Sequence, residues 1–229
     1  MINTWNESLL HEELKDYYCG DSGKKEIPLD GSICDVLRDD GVIVEIQTAN
    51  LGKLKVKLEK LLKNHQVILV YPVATNLVIE TFAENRELKS KRKSPKHGTI
   101  YQLFRELTRI WMILDQPNLE LHVLHADILE IRIADGTGSW RNKGVRKDDK
   151  KLIKMHETRI FKSMHDYAAL IPESLPELFT VSDLKQAGAG SHAGHMVWVL
   201  RKMGIIELSG KKGNAYIYKK SMTTLRPVS

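Results

Sequence analysis

The stretch Arg38-Asp39-Asp40-Gly41-Val42 limits what this chain can fold into more than any other feature. β-type runs flank it at 32–38 and 42–48, and Gly in the last loop position fits a three-residue hairpin loop whose third residue is left-handed and forms a bulge. Such a loop pairs Arg38 with Val42. Counting outward from that pair, Asp35 falls opposite Glu45, and same-face opposite residues of an antiparallel pair have Cβ atoms about 4.5–5.5 Å apart. Along the second strand Ile43, Glu45 and Gln47 share one face, while Val42, Val44 and Ile46 share the other. Like charges set opposite each other destabilise a hairpin unless a proton or a cation lies between them, and oxygen-only ligands favour Mg²⁺ or Mn²⁺. The same spacing also suits two ordinary polar residues on a solvated sheet face.

The pattern around this hairpin is α/β. Thr4, three residues before Glu7, reads as a capping box that opens a helix over 5–18, striped by Leu9, Leu10, Leu14 and Tyr17 or Tyr18. A strand at 25–29 turns the hairpin into a meander. Beyond it, Leu54, Leu58, Leu61 and Leu62 mark one face of a lysine-rich helix over 52–63, and Gln66-Val-Ile-Leu-Val-Tyr71 reads as a buried strand. A strand, helix, strand unit of this kind predicts a parallel crossover. A strand at 76–82, a helix over 98–114 and a strand or hairpin at 119–133 follow. From Asp135 to Asp149 the sequence is rich in glycine and charge without apolar period, which predicts a long mobile loop. The expected division is an α/β domain over 1–134, a basic linker over 135–154 and a smaller domain over 155–229.

In the last domain the order is a helix over 158–170, a short helix capped by Ser182, a turn at Gly188-Ala189-Gly190, and a third helix capped by Ser191 and ending before Gly204. Two β-runs, 205–209 and 214–218, close it across Gly210-Lys211-Lys212-Gly213. That is the order of a winged helix-turn-helix. Ala193, Met196, Val197, Leu200 and Met203 keep core spacing in the third helix. Ser191, His192 and His195 are thereby left to read base edges, with Lys211 and Lys212 in the wing touching phosphate. Dimerisation is the other use of such a module.

Charge agrees with a polyanionic partner. Of 229 residues, 35 are Lys or Arg and 29 are Asp or Glu, a formal charge of +6. The basic residues crowd 86–96 and 141–154, and each run reads equally as a solvated loop. No apolar run reaches membrane-spanning length, and the first residues lack a basic segment followed by an apolar one. Cys19 and Cys34 form no Cys-x-x-Cys pair. A cytoplasmic protein without a membrane partner, disulfide framework or thiolate zinc site is expected.

The sequence of helix, Asp35 on a second strand, Glu45-Ile46-Gln47 on a third, lysine-rich helix and buried strand resembles the PD-(D/E)XK superfamily of restriction-endonuclease-like nucleases, over roughly residues 5–80. More narrowly, Leu10-His-Glu-Glu-Leu-Lys15, Val44-Glu-Ile-Gln-Thr48, Leu69-Val-Tyr-Pro72 and Arg92-Lys-Ser-Pro-Lys96 resemble an uncharacterised prokaryotic family of such proteins joined to a winged helix. The resemblance implies a restriction-endonuclease-like α-β-β-β-α-β core, metal ligation by Asp35, Glu45 and the carbonyl of Ile46, and Mg²⁺- or Mn²⁺-dependent endonucleolytic hydrolysis of DNA. Gln47 stands where that superfamily usually carries Lys. An amide orients water but supplies no charge, so Lys53 or Lys57 on the next helix is the candidate replacement cation.

First-helix acids near the metal are common in the superfamily, which adds Glu7 and His11 to the catalytic set. Lys15 shares their i, i+4, i+8 face, and Glu26 on the first strand is a further cleft acid. A capping role for Glu7 and a plain surface role for His11 explain those residues equally well. Arg92, Ser94 and Lys96, around Pro95, form either a phosphate clamp or a mobile surface loop. Cutting both strands with one site per chain favours a homodimer. The competing expectation is a catalytically inactive nuclease-fold DNA-binding protein or transcription regulator.

Overall fold

A computed structural model describes residues 7–221. Thr4, and with it the expected Thr4–Glu7 capping box, lies outside the described residues. Helix α1 spans Leu9–Cys19 and is capped instead by Ser8, whose hydroxyl accepts the His11 N–H at 3.3 Å. Glu7 therefore precedes the helix rather than closing its first turn.

The meander follows as β1 (Lys24–Leu29), β2 (Ser32–Leu37) and β3 (Ile43–Ile46). Arg38 N–H donates to Val42 O at 3.0 Å, Gly41 N–H donates to Arg38 O at 3.0 Å, and Gly41 takes φ 82°. This is the expected three-residue loop, with glycine where a left-handed residue is required. Val36 faces Val44 and Leu37 faces Ile43, so one further step sets Asp35 against Glu45. On the other side of β2, Lys25 faces Val36 and Ile27 faces Cys34, which leaves Glu26 against Asp35. Three acids, Glu26, Asp35 and Glu45, thus form one row across three strands. β3 is buried along its whole length, so Glu45 does not lie on a solvated face.

A 3₁₀ turn at Leu51–Leu54 and helix α2 (Lys55–Leu61) lead to β4 (Val67–Ala83), which fuses the two strands expected at 66–71 and 76–82. β3 and β4 are neighbours in the sheet, and the Gln47 N–H donates to Val70 O at 2.9 Å. The basic run at 88–93 is strand β5 (Leu88–Lys93), antiparallel to the outer half of β4 and exposed throughout. The helix expected over 98–114 breaks into a 3₁₀ turn at Ile100–Gln102, helix α3 (Leu103–Leu107) and a second turn at Trp111–Ile113, because Ile110 leaves helical geometry at φ −128°. Its apolar positions Ile100, Leu103, Phe104, Leu107 and Ile110 are nonetheless all buried.

β6 (Leu119–Ala134) and β7 (Val145–Phe161) complete a mixed seven-stranded sheet of order β1-β2-β3-β4-β6-β7, with β5 on β4. β7 corrects the expectation of a linker over 135–154. Edge strands pair through their backbone and tolerate charged side chains, so β7 carries no apolar alternation to announce itself. It also consumes the start of the helix expected at 158–170, which shrinks to α4 (Met164–Ala168). Leu10 and Leu14 of α1 are buried. The helix is tied to β7 as well: the Leu9 N–H donates to Asp149 at 3.0 Å, and the Leu152 N–H to Glu13 at 2.6 Å.

The chain forms two compact units that interleave in sequence. One comprises the residues through Thr48, Leu69–Thr99 and His122–Arg159; the other comprises Ala49–Ile68, Ile100–Leu121 and the residues from Ile160 onward. The second unit contains α4, α5 (Val181–Leu184), α6 (Ala193–Lys202) and an antiparallel hairpin of β8 (Ile206–Lys212) and β9 (Ala215–Lys220). Thr180, not Ser182, caps α5, and it does so reciprocally with Asp183. Ser191 lies in a 3₁₀ turn at Gly190–His192 instead of capping α6. Ala193, Met196, Val197 and Leu200 are buried as expected, together with Val199, while Met203 is half-buried. The hairpin strands reach Lys212, so Lys211 and Lys212 sit in β8 and the turn is Gly213-Asn214. Phe179 forms an isolated antiparallel bridge with Tyr218 of β9. Among the described residues no helix is long and apolar enough to cross a membrane.

Candidate metal centre

The site is built from the N-terminal end of α1 and the adjoining acid of β2. One Glu7 oxygen contacts His11 Nδ1, and His11 Nε2 lies 3.2 Å from Asp35 Oδ2. The same Asp35 oxygen accepts the Ile46 N–H at 2.7 Å, which fixes the carboxylate against β3. One ligand atom from each of Glu7, His11 and Asp35 lies within 4.8 Å of the other two, close enough to share one ion. Burial opposes a charge on His11, but the hydrogen bond and the negative charges of Asp35 and Glu7 outweigh it and hold its pKa above the ordinary histidine value. Both ring nitrogens face carboxylate oxygens, an arrangement that only the imidazolium satisfies as a donor twice over.

Lys15, one turn further along α1, is 2% exposed. Its ammonium lies 2.7 Å from Glu7, 2.7 Å from Glu26 and 3.0 Å from Glu12. Burial disfavours that charge, yet the three carboxylates prevail and raise its pKa well above the usual lysine range. Glu26 reaches Lys15 from a left-handed backbone, φ 56°, within β1. Such a conformation costs a non-glycine residue about 1–2 kcal/mol, which the buried ion pair offsets. Lys25 closes the network on the outside by bridging Glu12 and Asp16 at 2.7 and 2.6 Å.

The sequence-derived set is only partly assembled. Glu7, His11 and Asp35 come together, and Glu26 joins them through Lys15. Glu45 is fully buried and is not one of the three clustered ligands. Ile46, expected to offer its carbonyl to the metal, donates its amide N–H to Asp35. Lys53 and Lys57 belong to the second compact unit, whereas the cluster belongs to the first. Arg92 lies on exposed β5 opposite Ile79, whereas Ser94 and Lys96 follow the end of that strand at Lys93. Ser94 is buried, donates its N–H to Leu77 O and accepts the Lys96 N–H on its hydroxyl, so that hydroxyl serves its own turn. In the second unit, His195 is exposed on α6, and burial, followed by the charges of His195 and Arg105, lowers the His192 pKa. Lys211 stacks over Tyr216 at 5.6 Å. The i, i+4, i+8 spacing placed Lys15 on the face of Glu7 and His11 but gave no sign of its burial among three carboxylates, two of which come from outside α1.

A family described as "Domain of unknown function (DUF8091)" matches residues 8–162. The chain belongs to that family. The DUF8091 match begins at the cap of α1 and ends one residue beyond β7, so it contains the whole sheet and leaves α4 to β9 outside. An "Uncharacterized protein" of Treponema pallidum (strain Nichols) is 39% identical over 219 residues, covering 96% of this chain and 87% of that protein. This similarity therefore extends through the C-terminal helices and hairpin as well. No solved structure matches significantly.

Proposed function

We propose that this protein is a divalent-metal-dependent DNA endonuclease of the restriction-endonuclease-like kind, acting in the cytoplasm, with its C-terminal helices and hairpin serving as a winged helix that holds DNA. The observation that carries this reading is the convergence of Glu7, His11 and Asp35 within 4.8 Å, on a row of acids set by the hairpin register. Two carboxylates and an imidazole suit Mg²⁺ less exclusively than an all-oxygen set and suit Mn²⁺ well. A metal bound there would supply hydroxide at neutral pH and polarise a phosphoryl oxygen. Asp35, fixed by the Ile46 amide, and Glu7, fixed by Lys15, are the ligands whose directions the protein sets in advance. His11, between them, loses its proton when it ligates, so metal affinity rises with pH.

The order of helix, single β-bridge at Phe179, two helices and basic hairpin in the second unit supports the winged-helix part of the proposal. The test is cleavage of a pool of plasmid, linear and single-stranded DNA with Mg²⁺ or Mn²⁺, beside Asp35→Asn and an EDTA control. Cleavage lost in both controls supports the reading; DNA binding without any cleavage refutes it. A second reading, an inactive DNA-binding protein, is favoured by one observation. Gln47 replaces the usual lysine, and Lys15, the cation nearest the cluster, is committed to three carboxylates.

A further inference from the structure

β7 brings a second group of charges to the cap of α1. A cavity of about 170 Å³ opens there, with Ser8, Thr48, Lys147 and Lys150 on its wall beside three carboxylates. Each carboxylate is already taken up. Glu130, 2% exposed, accepts from Arg132 at 2.7 Å and pairs with Lys147 at 3.0 Å. Asp148 pairs with Arg146 at 2.5 Å and Arg86 at 3.1 Å. Asp149 accepts the backbone N–H groups of Leu9 and Lys150.

Lys150 is left over. Half-buried, its ammonium makes no hydrogen bond or ion pair among the described residues. Burial first, and then the neighbouring charge of Lys147, hold its pKa below the usual lysine value, while Glu130 offsets part of the effect. A half-buried cation without a direct ion pair gains more from an incoming anion than a solvated or paired one does. The Ser8 hydroxyl accepts from the His11 N–H and so keeps its own O–H to donate. Along the chain two residues of the cavity wall neighbour the candidate metal ligands: Ser8 follows Glu7, and Thr48 lies two residues beyond Ile46, whose N–H holds Asp35.

We propose that this cavity is a phosphate-binding site in which Lys150, with the hydroxyls of Ser8 and Thr48, holds an anionic phosphate oxygen of a polynucleotide beside Glu7, His11 and Asp35. The choice of a polynucleotide rests on the endonuclease reading. Lys150 then supplies the positive charge that Gln47 lacks and that Lys15 cannot lend.

The test is brief acylation of the full-length protein with acetic anhydride in EDTA, read at Lys150 and at exposed Lys24 by peptide mass spectrometry. One arm adds a DNA oligonucleotide, a second adds inorganic phosphate at equal phosphate concentration, and a third adds nothing. The expected result is protection of Lys150 by the oligonucleotide of about fivefold, the occupancy reached when ligand exceeds its dissociation constant about fourfold. Lys24 changes by less than about twofold in the same samples, as a solvated surface lysine should. Lys150→Met weakens oligonucleotide binding and Lys150→Arg restores it, with unchanged thermal unfolding in both. No protection in any arm overturns the proposal, and equal protection by inorganic phosphate overturns the polynucleotide assignment. The two readings fail separately: protection without cleavage in Mg²⁺ or Mn²⁺ keeps this site and removes the nuclease, whereas cleavage without protection does the reverse.

Discussion

Replacing Lys15 by Met keeps the aliphatic stem in the core and removes the ammonium that three carboxylates share. At an effective dielectric of about 20, a unit pair at the observed 2.7–3.0 Å attracts by about 6 kcal/mol before any cost is subtracted. Most of that sum is offset, because burying an ammonium costs several kcal/mol and the carboxylates repel one another. Removing one partner of a buried pair typically costs about 3–5 kcal/mol when the orphaned charge stays buried. Here Glu7, Glu26 and Glu12 are 23%, 32% and 45% exposed, so water takes up part of the loss. The expected destabilisation is about 2–4 kcal/mol, a large share of a typical domain's stability of about 5–15 kcal/mol. Urea unfolding followed by circular dichroism should show it as a lower midpoint at constant slope. The Lys15 pKa is raised, so its contribution is complete below the ordinary lysine range and is lost as pH rises through the raised value. The gap between wild type and variant should accordingly narrow in strong base. A Lys15→Met protein within about 0.5 kcal/mol of wild type at pH 7, the scatter of neutral surface changes, would refute the reasoning.

Glu130 is buried, which by itself disfavours its charge, but Lys147 and Arg132 outweigh that and hold its pKa below the ordinary glutamate value. Its stability contribution is present above the unfolded pKa of about 4.3 and disappears as pH falls through the depressed one, so Glu130→Gln should flatten the acid limb of an unfolding titration read by tryptophan fluorescence; an unchanged limb contradicts this. Thr180→Ala should cost about 1 kcal/mol through loss of the α5 cap, with Thr180→Ser close to wild type and Ser182→Ala nearly silent in thermal melts. The reverse ranking of Thr180 and Ser182 would return the cap to the position the sequence suggested. Gly41→Ala meets no neighbouring atom within 4 Å, so its expected cost of about 1–2 kcal/mol is purely that of a left-handed backbone. Gly41→Asn should cost less than Gly41→Ala, and equal urea midpoints for the two would argue against strain at this position.

What could be read from the chain alone was whatever local chemistry specifies. The loop at Arg38–Val42 is legible because one glycine at the left-handed position selects the loop length, and the loop length fixes the register of Asp35 against Glu45. Leu10 and Leu14 of α1, Leu58 and Leu61 of α2 and the core positions of α6 were legible because a buried helical face needs a 3.6-residue period, whereas Leu9 and Tyr17, expected in the α1 stripe, are exposed. β7 was hidden because an edge strand is held by backbone pairing, and its charged side chains carry no period at all. The break at Ile110 was hidden because an unbroken helical apolar pattern continued across it.

The candidate site divides along the same line. Sequence determined that His11 and Lys15 share a face of α1 and that Asp35 lies mid-hairpin, since both follow from spacing within one element. Only the tertiary structure decided that these two elements meet, that the Ile46 amide donates to Asp35, and that Glu45 is sealed in the core. It also decided the state of two lysines that look alike in the sequence. Lys15 is enclosed by three carboxylates from α1, β1 and the segment before α1, while Lys150 lies on β7 with its neighbouring acids already occupied. A charge takes its energy from everything within a few ångströms of it, and those neighbours come from strands and helices far apart along the chain.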